Sequence, residues 1–128
     1  MNLNDIKIVG NVVRDPEIRY TPKGTPVANL SLGINEIYTI DDEKRKLTTF
    51  VDVQAWGPSA ENLAKLVHKG QEIFVEGAIR QDQWEDKETK QKRSRLFVKA
   101  DRWQLTQYKA GEQARQQSEV VKAQGKER

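Results

Sequence analysis

The chain has 128 residues, no cysteine, and 22 basic against 19 acidic side chains for a formal net charge of +3. That excludes disulfides, thiolate metal sites and cysteine nucleophiles, and the length suits one domain able to bury its own core. A surplus of three charges identifies no partner, so the placement of the basic side chains matters more than their number.

No apolar run approaches the ~20 residues that cross a bilayer, and the opening MNLNDIKIVG has none of the marks of a signal peptide. The chain is read as soluble and intracellular, with no membrane partner. Strand patterns follow at once. In DIKIVGNVVRD, Ile6, Ile8 and Val13 carry the first strand, and Gly10 within it predicts a bulge or a sharp bend. DPEIRYTPKGTP holds a short extended piece between turns marked by Pro16, Pro22, Gly24 and Pro26. ANLSLGI then alternates, with Ala28, Leu30, Leu32 and Ile34 on one face and Asn29, Ser31 and Gly33 on the other.

YTIDDEKRKLT reads as an exposed hairpin loop leading into the strand TTFVDVQAW. GPSAENLAKLVHKG supplies one short helix, started by Pro58 and Ser59, striped with Leu63, Leu66 and Val67, and stopped by Gly70. QEIFVEGAIR is a strand with Ile73, Val75 and Ile79 on one face, and SRLFVKADRWQL another with Leu96, Val98 and Ala100. The polar QDQWEDKETKQKR between them is a hairpin with Trp84 near its base. Five strand regions with a helix between the third and fourth give the order of an all-β Greek-key barrel, the oligonucleotide/oligosaccharide-binding (OB) fold. Residues 1–108 are assigned to this domain, and KAGEQARQQSEVVKAQGKER, residues 109–128, to a disordered or weakly helical polar tail.

Period-two alternation sends Val51, Val53 and Ala55 to the core and Phe50, Asp52, Gln54 and Trp56 to the other face. Two aromatic rings on a wet face call for a partner. Tyr38 and Trp84, on the two flanking hairpins, are candidates for the same surface. Flat rings separated by polar residues suit unpaired bases, whose stacking is worth ~1–3 kcal/mol each without reading sequence. Lys7, Arg14, Lys23, Arg80, Lys87, Lys90, Lys92, Arg93 and Arg95 are the candidates to follow phosphates.

The segment VGNVVRDPEIRYTPKGTPVANLSL, the junction LVHKGQEIFVEGAIR and the following Trp84 together resemble the bacterial-type single-stranded-DNA-binding protein family over about residues 3–107. The resemblance implies an OB-fold barrel, usually a homotetramer wrapped by DNA, that protects single strands in replication, recombination or repair at the nucleoid, in the cytoplasm. It assigns base stacking to Tyr38 in GINEIYTI, Phe50 in TTFVDV, Trp56 in QAWGP and Trp84 in RQDQW, with Tyr38 and Phe50 standing where tryptophan is common. Phe74, Phe97 and Trp103 are assigned to core or subunit interface, and Tyr20 is left open. Asp52, Pro58, Asp82 and Gln83 stand where the family often carries basic residues, which implies a less positive binding surface. Family members typically end in an acidic tip with a terminal apolar pair that recruits enzymes; this chain ends QGKER, without that recruitment mode if the terminus is the natural one.

Other function classes find less support. The single histidine, His68, falls at the helix end, where a cation favours the dipole, and Asp41, Asp42 and Glu43 form one exposed acidic run. With no P-loop, dinucleotide fingerprint or second carboxylate cluster, no catalytic residue, metal or cofactor is expected. An OB-fold adaptor that holds other proteins in primosomal or recombination assemblies is the alternative to DNA binding, and stacking alone does not separate DNA from RNA.

Overall fold

The computed structural model describes residues 1–106; the expected polar tail at 109–128 lies outside the described residues. The elements are β1 (Ile6–Val12), β2 (Glu17–Tyr20), β3 (Pro26–Ile40), β4 (Glu43–Trp56), α1 (Pro58–Leu66), β5 (Glu72–Glu85) and β6 (Lys92–Leu105). Sheet order is β1-β5-β6-β4-β3-β2, and an added β1–β3 pairing closes five strands into a barrel, leaving the short β2 on the outer edge of β3. The helix joins β4 to β5, the third and fourth strands of the barrel, as predicted.

Closure uses two short contacts. β1 pairs with β5 from Ile6 to Asn11, then reaches β3 at Asn11↔Gly33 and Val12↔Leu32. β4 runs parallel to β6 at Val53↔Val98 and Gln54↔Lys99. The register of β1 is unbroken through Gly10, so the glycine marks no bulge. It marks a close approach: a Cβ there would meet Gly33 O and Ile34 Cγ1, both at 3.1 Å. The bulge lies between β5 and β6, where Glu76 faces Arg102 but Gly77 faces Ala100, leaving Asp101 as the extra residue.

The core follows the alternation read from the sequence. Val12, Ala28, Leu30, Leu32, Val53, Ala55, Ile73, Val75 and Val98 fill the barrel, with Leu63 and Val67 closing its helical end. Trp103 is the largest fully buried side chain and settles the reading of that residue as core. Its indole Nε1–H donates to Ser59 Oγ at 2.9 Å. Gly57, at φ 72°, takes the cap position without a side-chain bond, Pro58 opens the helix, and Ser59 lies in its first turn. The helix ends at Leu66 with Val67 N–H on Leu63 O, ahead of Gly70, whose N–H instead donates to Val12 O in the following turn.

The two long hairpins extend past the barrel. The run expected as an exposed loop at 38–48 is paired almost to its tip, with only Asp41 and Asp42 between Ile40 and Glu43. Both have positive φ, 52° and 63°, as a two-residue hairpin turn matching the strand twist requires. In the other hairpin, Asp86 organises the loop: its Oδ1 accepts from Glu88 N–H at 2.9 Å, and its backbone N–H donates to Gln91 O at 2.8 Å. Trp84, paired with Arg93, thus lies near this hairpin's tip.

Candidate nucleic-acid interface

Strand register decides which side chains share a surface. β3 and β4 pair without a slip from Val27↔Trp56 to Ile40↔Glu43. Phe50 therefore lies opposite Gly33, Asp52 opposite Ser31, Gln54 opposite Asn29 and Trp56 opposite Val27, all on the outer face. The pairing of Gln54 with Lys99 carries that face across to β6. From there β5 continues it, with Lys99 opposite Ala78, Phe97 opposite Arg80, Arg95 opposite Asp82 and Arg93 opposite Trp84.

Phe50, Trp56 and Trp84 thus belong to one outer wall, exposed at 68%, 42% and 50%. Tyr38 is equally accessible at 41%, but it faces Arg45 in the set that includes Leu30 and Leu32, on the opposite side of its ribbon from Phe50. Where that side leaves the barrel it turns from core to solvent. The structure brings three of the four rings onto one wall and sets Tyr38 on the reverse of the projecting hairpin.

Trp56 is held before any ligand arrives. Its Nε1–H donates to Gln54 Oε1 at 2.7 Å, and Gln54 Nε2 donates in turn to Asn29 Oδ1 at 3.2 Å. Lys99 Nζ stands over the ring, 5.8 Å from its centroid. Phe50 packs beside Gly33, where an added Cβ would lie 3.6 Å from the ring, an ordinary contact. Phe97, on the same wall, is buried beneath the Arg95 guanidinium at 5.3 Å, which removes it from the set of available rings. Phe74 carries Arg102 at 5.9 Å, and Tyr20 is exposed on the edge strand β2.

The basic candidates separate by location. Arg80, Arg93 and Arg95 stand on the wall with Trp84. Arg93 and Arg95 are partly committed, to Asp86 at 3.7 Å and to Asp82 at 3.6 Å. Arg80, Lys87, Lys90 and Lys92 form no ion pair among the described residues; Lys87 and Lys90 lie in the hairpin loop, and Lys92 stands opposite Glu85 in the strand register, on the reverse face. Lys23 sits in the turn that leads to Pro26, next to the Trp56 end of the wall. Arg14 follows β1, beside Asp15, which accepts from Lys69 N–H at 2.8 Å and lies 4.0 Å from His68 Nδ1.

Lys7 belongs elsewhere. It lies in a row with Glu76 and Arg102 across β1, β5 and β6, on a wall that does not include β4. A side-chain hydrogen bond to Asp5, 2.6 Å away, is the main cause holding the Lys7 ammonium above its ordinary pKa. Three basic residues escaped the sequence reading: Lys99 over Trp56, and Lys44 and Lys46, which share the strand face of Phe50. The pattern of β4 read outward from Phe50 points to Lys44 and Lys46. Lys99 needs the β4–β6 register, which joins strands far apart in sequence.

Among the described residues, no helix is long and apolar enough to cross a membrane, and no three His, Cys, Asp or Glu side chains gather to hold a metal ion. Comparison with known proteins agrees with this geometry. The chain is 48% identical over 82 residues to the single-stranded DNA-binding protein of Thermus thermophilus, covering 64% of this chain and 30% of that one. It is 32% identical over 105 residues to single-stranded DNA-binding protein 1 of Synechocystis, covering 82% and 84%. The chain thus spans about a third of the Thermus relative but most of the Synechocystis one. A crystal structure of a deletion mutant of the single-stranded DNA binding protein from Thermus aquaticus superposes with a TM-score of 0.71 at 31% identity, covering 82% of this chain and 51% of that one. Residues 3–106 match the single-strand binding protein family, to which this chain belongs.

Proposed function

We propose that this chain binds single-stranded DNA with little dependence on sequence and catalyses no reaction. Bases stack on Phe50, Trp56 and Trp84 along the outer wall, and Tyr38 takes a further base where the strand passes over the projecting hairpin. Lys99, Arg80, Arg93, Arg95 and the lysines of the hairpins neutralise phosphates. The observation that carries this reading is the register: Phe50, Trp56 and Trp84 share one continuous wall with Lys99, Arg80, Arg93 and Arg95.

One barrel of this fold covers only a few nucleotides. Assembly as a homotetramer extends the path, and the family membership supports that arrangement. The role that follows is to protect exposed strands during replication, recombination or repair, in the cytoplasm at the nucleoid. Domain 1–108 carries the binding.

The test is a tryptophan-fluorescence titration with oligothymidine and a matched duplex at two salt concentrations, repeated with Trp56→Ala, alongside light scattering for the assembly. Quenching by the single strand alone, weakened by salt and by the substitution, is the expected result. No response to the single strand would overturn the reading and leave the wall as a protein-binding surface.

A further inference from the structure

The stacking wall contains a carboxylate at its centre. Asp52 stands two residues from Phe50 on the same face of β4, about 7 Å along the strand. Its Oδ1 accepts from the Ser31 hydroxyl at 3.0 Å, which fixes the side chain. The other acid of the wall, Asp82, has a cation 3.6 Å away in Arg95. Asp52 has none: among the described residues only the neutral Ser31 bonds to its side chain, and Oδ2 is left open.

Asp52 and Phe50 also rim one hollow of about 330 Å³, at the barrel mouth between the two projecting hairpins. Ile6, Ile8, Ile79 and Leu96 make its floor apolar. That volume is at the lower end for small-ligand pockets, with room for a single base. A strand lying on Phe50 offers two kinds of group to this place. Phosphates are repelled by the carboxylate and disfavoured by the apolar floor. Base edges suit both, because they are flat and carry N–H donors.

The four bases differ in those donors. Guanine presents N1–H and N2–H side by side, matching the two oxygens of a carboxylate. Cytosine and adenine each offer one amino group next to an acceptor nitrogen. Thymine offers one N–H between two carbonyl oxygens that the carboxylate repels. We propose that Asp52 reads the Watson–Crick edge of the base seated against Phe50 and makes guanine the preferred base there. The inference rests on the single-stranded-DNA reading and deepens it: tolerance along most of the path, preference at one step.

The test compares oligothymidine with a matched strand in which isolated guanines replace thymines, for the parent chain and for Asp52→Asn. Asparagine keeps an acceptor for Ser31 and so preserves the local structure. Removing a negative charge should tighten binding to both strands alike, so the readout is the ratio of the two affinities. A bidentate pair discriminates by upwards of about fivefold, and the parent's preference for the guanine strand should fall by about that factor in Asp52→Asn. Replacing guanine by inosine, which lacks the N2 amino group, should lower the parent's affinity and leave the variant's unchanged. An unchanged ratio, with both strands still bound, would overturn the role of Asp52 and leave the stacking account intact. Failure of the parent to bind either strand would overturn both.

Discussion

Lys99 and Trp56 come from strands more than forty residues apart, yet the lysine Nζ lies 5.8 Å over the indole centroid. With its N–H held by Gln54 and one face under a cation, the ring has one face to offer a base. In the proposed binding mode the same ammonium neutralises the phosphate of the nucleotide stacked on that ring. Lys99→Met keeps the stem and removes the charge. It should weaken single-strand binding several-fold and reduce the slope of log affinity against log salt by about 0.7, the share of one phosphate. Affinities across a salt series check this; a weaker affinity with an unchanged slope would restrict Lys99 to holding the ring.

The three tryptophans should separate into two classes. Trp56 and Trp84 are exposed on the wall, whereas Trp103 is sealed in the core. Trp56→Ala and Trp84→Ala should each cost ~1–3 kcal/mol of binding and leave thermal stability near that of the parent. With both replaced by Phe, the emission left from Trp103 should stay blue-shifted and respond little to DNA. Strong residual quenching in that variant would place a base contact where the barrel core lies.

Much of this site was legible because strand periodicity is strict. Once Val51, Val53 and Ala55 were assigned to the core, Phe50 and Trp56 had to face outward, and the structure agrees. What stayed hidden depended on how the segments pair and pack. Tyr38 lies an odd number of residues from Gly33, so an unbroken register puts it on the reverse of the ribbon from Phe50. The charged run after Tyr38 looked like a loop because strand propensity counts Lys, Glu and Asp against it, yet both strands persist to a two-residue turn. Ser59 reads as a helix start signal beside Pro58, and only the packed position of Trp103 shows what its hydroxyl does.

That bond yields a stability prediction. Ser59 is buried, and its hydroxyl accepts from the Trp103 indole, tying the helix N-terminus to β6. Ser59→Ala should cost about 1 kcal/mol and lower the melting temperature by ~4–8 °C in a domain of this size. DNA affinity measured well below that temperature should not change, because neither residue reaches the wall. A variant as stable as the parent would mean the bond contributes no net energy.

Two glycines should respond very unequally to the same change. At Gly24, with φ 87°, an added Cβ meets nothing within 4 Å, so Gly24→Ala should cost only the ~1–2 kcal/mol of a left-handed alanine. At Gly77 an added Cβ would run into the Lys99 carbonyl oxygen and meet Ala100 Cα at 3.1 Å. Both obstacles are backbone, so no rotamer change relieves them. The β5–β6 bulge would have to open, and Gly77→Ala should lose more than about 4 kcal/mol, a large part of the 5–15 kcal/mol typical of a domain. Denaturant midpoints for the two variants check the contrast. Because the residue displaced is Lys99, any Gly77→Ala protein that still folds should also bind single strands more weakly. A folded variant with parental affinity would show that the wall does not depend on the bulge for the position of its central lysine.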